Sequence, residues 1–153
     1  MSDVSFRHLF DIDIQMGAIN KIGPSFGAYR AIGSVAGGTF TGDRLKGTIQ
    51  PGTGGDWVRI APDGTMELDV RLTLETEDGA LILMRYHGVR AGEPDALKRY
   101  DKGEHVEPDE VYFRTTPIFE TGDERYTWLN NIVAVGVADR GASGPLYHVY
   151  EML

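Results

Sequence analysis

The sequence predicts an all-β fold: a single closed antiparallel β-barrel of roughly eight to ten strands, with little helix. Three observations carry this. Apolar and polar residues alternate with a period of two along much of the chain. Glycine is abundant, at 20 of 153 residues, so turns are frequent. No apolar stripe of helical spacing persists for three turns. The length suits one domain, taken as residues 1–153, with no repeat or low-complexity linker to divide it. A chain of this size buries ~68–70% of its unfolded surface, so it needs no disulfides to hold a core.

The elements follow in order. Phe10, Ile12 and Ile14 alternate with Asp11 and Asp13. Strands are then expected at Ala28–Val35, Arg44–Gln50 and Asp56–Ala61. Leu68, Val70, Leu72 and Leu74 alternate with Asp69, Arg71 and Thr73 in the next, and further strands are expected at Ala80–Val89, Val111–Thr121, Tyr126–Val137 and Leu146–Met152. Pro62-Asp63-Gly64 and Glu77-Asp78-Gly79 read as tight hairpin turns. Gly37-Gly38 and Pro51-Gly52-Thr53-Gly54-Gly55 read as wider ones. Glu93–Lys102, with Pro94 placed for a first turn, is expected to form a loop or a single helical turn.

Composition excludes several classes. There is no cysteine, hence no disulfide framework, cysteine nucleophile or thiolate metal site. Fifteen basic residues stand against 23 acidic ones, a formal charge of −8. That balance disfavours nucleic acid and anionic membranes as partners. The N-terminus lacks the basic and apolar regions of a secretory signal, and no apolar run approaches a bilayer-spanning length, so a cytoplasmic protein is expected. No dinucleotide fingerprint, phosphate loop, His-Glu-x-x-His or nucleophile elbow occurs. The expectation is therefore a protein with no cofactor and no metal.

The polar strand faces suggest a site. Arg71 shares a face with Asp69 and Thr73. Tyr112, Arg114 and Glu120 share another, and Tyr126, Trp128 and Asn130 a third. Aromatics beside charged and amide groups suit the wall of a ligand cavity. They also suit cross-strand ion pairs on a wet outer face, with Trp128 as a core aromatic. On the cavity reading, Asp56, Arg71 and Glu120 are the candidate catalytic residues. Asp56 or Glu120 would move a proton, and Arg71 would hold an anion or stabilise an enolate. Trp57, Tyr112, Arg114, Trp128 and Asn130 would bind the substrate.

The blocks Gly42-Asp43-Arg44-Leu45-Lys46-Gly47, Gly55-Asp56-Trp57, Leu68-Asp69-Val70-Arg71, Asp78-Gly79-Ala80-Leu81-Ile82, Tyr112-Phe113-Arg114-Thr115, Phe119-Glu120-Thr121 and Tyr126-Thr127-Trp128-Leu129-Asn130 span nearly the whole chain. In these the sequence resembles a family of small, mostly uncharacterised microbial proteins catalogued as a domain of unknown function. The resemblance implies a closed antiparallel barrel similar in shape to lipocalins and allene oxide cyclase. It implies recurring polar residues at Asp56, Arg71, Glu120, Trp128 and Asn130, and it carries no general activity. The segment Ala91–Asp109 is longer and more charged than the family pattern.

The functional expectation is a cofactor-independent lyase or isomerase, working by acid–base chemistry on a small aromatic or hydrophobic molecule in the lumen. The alternative is a lipocalin-like carrier that binds such a molecule without chemistry. A homo-oligomer is also expected, paired through the apolar faces of Leu68–Leu74 and Leu129–Val137.

Overall fold

The computed structural model describes residues 3–141 and 143–153. Nine strands form one antiparallel sheet: β1 (Phe6–Ser25), β2 (Ala28–Thr41), β3 (Lys46–Ile49), β4 (Gly55–Ile60), β5 (Met66–Thr76), β6 (Leu81–Gly92), β7 (Val111–Glu120), β8 (Ala134–Arg140) and β9 (Pro145–Met152). The sheet closes on itself, because β1 pairs with both β9 and β2. β3 and β4 share the slot between β2 and β5: β3 pairs with Thr39–Thr41, and β4 with Tyr29–Ser34. The glycine-rich turn at 50–54 separates them, so the two behave as one interrupted strand. The result is a ring of eight strands, as the alternation predicts.

Each strand turns its apolar series inward. Phe10, Ile12 and Ile14 of β1, Leu68 to Leu74 of β5, Ile82, Met84 and Tyr86 of β6, and Tyr147 and Val149 of β9 are all buried in one core. A ring of eight strands has an interior just wide enough for side chains to fill. Phe10 packs on Phe40 and Phe119 at centroid distances of 5.5 and 5.9 Å and fills one half of the interior.

Both tight turns form as the sequence predicts. Gly64 and Gly79 sit at φ +88° and +87°, and their amides bond back to Ala61 and Thr76. Gly37 and Gly38 differ from expectation. They do not turn the chain but lie inside β2, at φ +148° and +143°, where the β1–β2 register shifts. A Cβ on Gly38 would lie 2.2 Å from the Asp13 carbonyl oxygen, so only glycine lets β1 approach that closely. The β1–β2 hairpin then runs on beyond the core, with Phe26 fully exposed at its tip.

Two further elements depart from the sequence reading. Pro94–Asp101 is an eight-residue helix, α1, longer than a single turn. Pro94 opens it, where a missing N–H costs nothing, and Asp95 and Lys98/Arg99 sit at the ends that favour their charges. Ala96 and Leu97 anchor it on the core. Tyr126–Val137 is not one strand. Thr127–Asn131 forms a 3₁₀ turn before β8 begins at Ala134. Asn130 fixes that turn: its Oδ1 accepts the Thr121 N–H at 2.8 Å, and its Nδ2 donates to the Thr121 carbonyl at 3.0 Å. The buried Leu129 secures it from inside. Among the described residues no helix is long and apolar enough to cross a membrane.

Candidate functional site

The strand registers place Met66, Arg90, Val111 and Leu146 toward α1, and Thr76, Leu83, Glu120 and Met152 toward the 3₁₀ turn. The core fills the half near the turn. In the half near α1 it leaves a cavity of about 480 Å³, within the size range of small-molecule sites. Met16, Met66, Leu68 and Phe113 supply apolar wall. Asp56, Arg90 and Tyr147 supply buried polar groups. Tyr100, Asp101, Lys102 and Gly103, from the end of α1, form the rim with Asp139 and Arg140.

Asp56 enters from β4, one residue after the glycine turn, and is only 8% exposed. Its Oδ1 accepts the backbone N–H of Asp69 at 3.2 Å. The β4–β5 pairing lapses at Trp57 and Val58, next to this contact, and the Trp57 carbonyl accepts instead from Arg30 Nη1 at 3.0 Å. Burial pushes the Asp56 carboxyl up to about 7. The Asp69 N–H works against that rise, and the Asp69 charge adds to it. Asp56 is thus poised to hold or release a proton near neutrality.

Tyr147 of β9 and Tyr86 of β6 stand edge to face at 5.5 Å. Burial, with the Asp56 charge adding to it, raises both phenols, so both stay protonated at neutral pH. Among the described residues the buried Tyr147 hydroxyl has only the Tyr86 hydroxyl beside it and no well-formed hydrogen bond. Arg90 of β6 is 8% exposed. Its Nη1 donates to Asp101 Oδ1 at 2.7 Å, binding the barrel wall to α1, while its Nε–H has no partner among the described residues. Leaving a buried polar group unpaired costs about 1–3 kcal/mol, so two in one cavity are a notable expense. Arg140 donates to the Tyr100 carbonyl and lies 4.8 Å from the centroid of the Tyr100 ring, a second tie between α1 and the barrel.

Of the residues proposed from sequence, the cavity holds Asp56. The expectation that Arg71 and Glu120 face the same lumen is corrected. Arg71 lies on the outer surface of β5, 3.3 Å from Asp69 and over the Trp57 ring at 5.2 Å. Glu120 is exposed at the end of β7. Trp57, Tyr112 and Arg114 are also outward, with Arg114 stacked on Tyr112 at 5.0 Å. Trp128 sits at the opposite end of the barrel, under Arg44 at 4.2 Å, and Asn130 holds the 3₁₀ turn. On β5 and β7 the faces were divided at the correct residues but inside and outside were exchanged, whereas Tyr126, Trp128 and Asn130 belong to a 3₁₀ turn and have no strand face. The inner faces take the branched apolar side chains because their burial contributes more. Leu68–Leu74 therefore fills the core rather than an oligomer face, and so does Leu129, while Val133 is 60% exposed.

Arg90, Tyr86 and Tyr147 were missed. Each interrupts an apolar inward series at the two-residue period: Ile82, Met84, Tyr86, Gly88, Arg90 on β6, and Tyr147, Val149, Glu151 on β9. A polar residue in step with an apolar face is the signal that finds them.

The chain is similar over nearly its whole length to several known proteins. A protein of the UPF0311 group from Rhodopseudomonas palustris is 33% identical over 147 residues, covering 96% of this chain and 95% of that one. The crystal structure of RPA1785 from R. palustris, a conserved protein of unknown function, matches with a TM-score of 0.91 at 32% identity over 100% of both chains. A crystal structure from Acinetobacter baumannii, described as a beta-barrel like protein, matches with a TM-score of 0.86 at 35% identity, covering 100% of this chain and 98% of that one. More distantly, a hydroalkoxylation enzyme from Penicillium herquei is 26% identical over 132 residues, covering 86% of this chain and 72% of that one. The family model described as protein of unknown function (DUF3237) matches residues 4–152, and the chain belongs to that family.

Proposed function

We propose that the cavity carries out proton-transfer chemistry on a small, partly apolar molecule, with Asp56 as the group that moves the proton. One observation carries this reading: a carboxyl that titrates near neutrality stands in the wall of a 480 Å³ cavity, 8% exposed. Such a group can give a proton and take one back within a single turnover. Addition of a hydroxyl across a carbon–carbon double bond needs those two moves. Asp56 gives its proton to carbon, the C–O bond forms, and the hydroxyl proton returns to the Asp56 carboxylate. When both groups belong to one molecule, this is an isomerisation that consumes nothing. Run backwards, it is a lyase-type elimination. The distant likeness to a hydroalkoxylation enzyme supports the reaction class.

The test is incubation with a panel of ortho-alkenylphenols in D₂O, followed by mass spectrometry. Wild-type protein is expected to form a cyclic ether carrying one non-exchangeable deuterium. Asp56→Asn is expected to lose this activity by roughly 10²-fold or more. Equal turnover by Asp56→Asn would remove Asp56 from the chemistry. Tight binding without conversion of any member would favour the carrier reading.

A further inference from the structure

The cavity contains two buried hydrogen-bond donors that the protein does not use. Arg90 Nε–H lacks a partner among the described residues, and the Tyr147 hydroxyl has only the Tyr86 hydroxyl beside it, which leaves its own proton free to donate; both residues line the same space. They are near enough for the Arg90 charge to act on the Tyr147 phenol. A guanidinium N–H can only donate, so at least one ligand atom must be an acceptor.

The charge balance points the same way. Three cationic side chains line the cavity, Arg90, Lys102 and Arg140, against the two rim carboxylates Asp101 and Asp139, with Asp56 inside. Asp101 is 58% exposed while the Arg90 side chain is 10% exposed. The carboxylate is thus largely hydrated and offsets the buried guanidinium only in part. On a chain of net charge −8, this recess has apolar walls and a balanced lining, neutral with Asp56 ionised and carrying one positive charge with Asp56 protonated.

We propose that the cavity binds a monoanionic organic molecule, an aromatic or apolar body bearing one carboxylate or enolate separate from any hydroxyl that reacts, whose charged oxygen is taken by Arg90 Nε–H and the Tyr147 hydroxyl. The assignment rests on the same cavity being the site, and it names the ligand class that the proton-transfer reading leaves open. A charge-assisted pair of donors is stronger and more selective than two neutral ones. A neutral isostere forgoes the charge-assisted bond to Arg90 Nε–H and binds more weakly on that account.

The experiment is calorimetric titration of the intact chain at pH 7 with 2-naphthoate and with neutral 2-naphthamide. 2-Naphthoate is expected to bind at least tenfold more tightly. Arg90→Gln and Tyr147→Phe are each expected to weaken it by tenfold or more, while the exposed Arg85→Ala leaves it unchanged. Arg90→Lys keeps the charge but lacks the Nε donor, and provides a second variant if Arg90→Gln does not fold. Equal affinity for the amide, undiminished binding by Tyr147→Phe, or no binding of 2-naphthoate by wild type would overturn the assignment. Asp56→Asn separates the two readings. If it binds 2-naphthoate normally and still turns over alkenylphenols, the proton-transfer reading fails and this one stands. Turnover of alkenylphenols by wild type without preference for an anion has the opposite meaning.

Discussion

The carboxylate of Asp56 accepts the backbone N–H of Asp69 at the point where β4 and β5 stop pairing. A side chain that takes up a strand N–H cannot leave the cavity wall without exposing that N–H as well. The contact fixes Asp56 in position while the surrounding burial keeps its carboxyl near a pKa of 7.

Stability should therefore depend on pH through Asp56. Its folded-state pKa is raised, so the folded chain keeps a proton that the unfolded chain loses between about pH 4 and 7. Its contribution to stability falls as pH rises across that window and is flat above it. Asp56→Asn keeps the acceptor for Asp69 and removes the titration. Urea unfolding should show the variant more stable than wild type at pH 8, by up to about 4 kcal/mol, with the gap closing at pH 4.

Tyr147→Phe removes a buried hydroxyl that makes no well-formed hydrogen bond among the described residues and has only the Tyr86 hydroxyl beside it. The ligand-free protein should gain about 1 kcal/mol in thermal or urea unfolding. A gain in stability together with weaker ligand binding is the signature of a group kept for function. Loss of stability would instead show that the hydroxyl is satisfied in solution.

The Arg90–Asp101 pair should govern how firmly α1 sits over the cavity. Asp101→Asn is expected to raise hydrogen exchange of the amides in Pro94–Asp101 by several-fold while β5 and β6 remain protected. Equal exchange in variant and wild type would leave Ala96, Leu97 and Arg140 as sufficient anchors.

At the far end of the barrel, Arg7 and Arg44 both donate to Glu151, at 2.8 and 2.6 Å, and Arg44 covers Trp128. Burial raises the Glu151 carboxyl, but the two arginines outweigh it and hold the pKa below its usual value. Its contribution is present above the unfolded-state pKa and is lost as pH falls through the lowered folded value. Arg44→Ala should shift Trp128 emission and destabilise the fold by about 2 kcal/mol at pH 7. The deficit should shrink in acid.

His148 receives support from Asp11 Oδ1 at 2.7 Å, which raises its pKa above the usual 6.5. Its contribution to stability is complete below that value and is lost as pH rises through the folded pKa. In an NMR titration, Asp11→Asn should bring His148 back toward 6.5.

The sequence by itself determined most of the strands, the hairpin turns at Gly64 and Gly79, and which residues of β5 and β7 share a face. These follow from a two-residue period and from glycine's access to positive φ, both local properties of the chain. It also singled out Asp56, a carboxylate entering a strand straight after a glycine turn. Only the tertiary structure decided which face looks inward. A period of two is symmetric, so Arg71 and Glu120 were as eligible for the lumen as Val70 and Phe119 until the ring closed. Closure leaves room inside for packed side chains and one small cavity, and burying Leu, Val and Phe outweighs burying Arg and Glu. The cavity itself depends on β4, β6, β9 and α1, segments far apart in the chain. Arg90, Tyr147 and Asp56 become neighbours only through that closure.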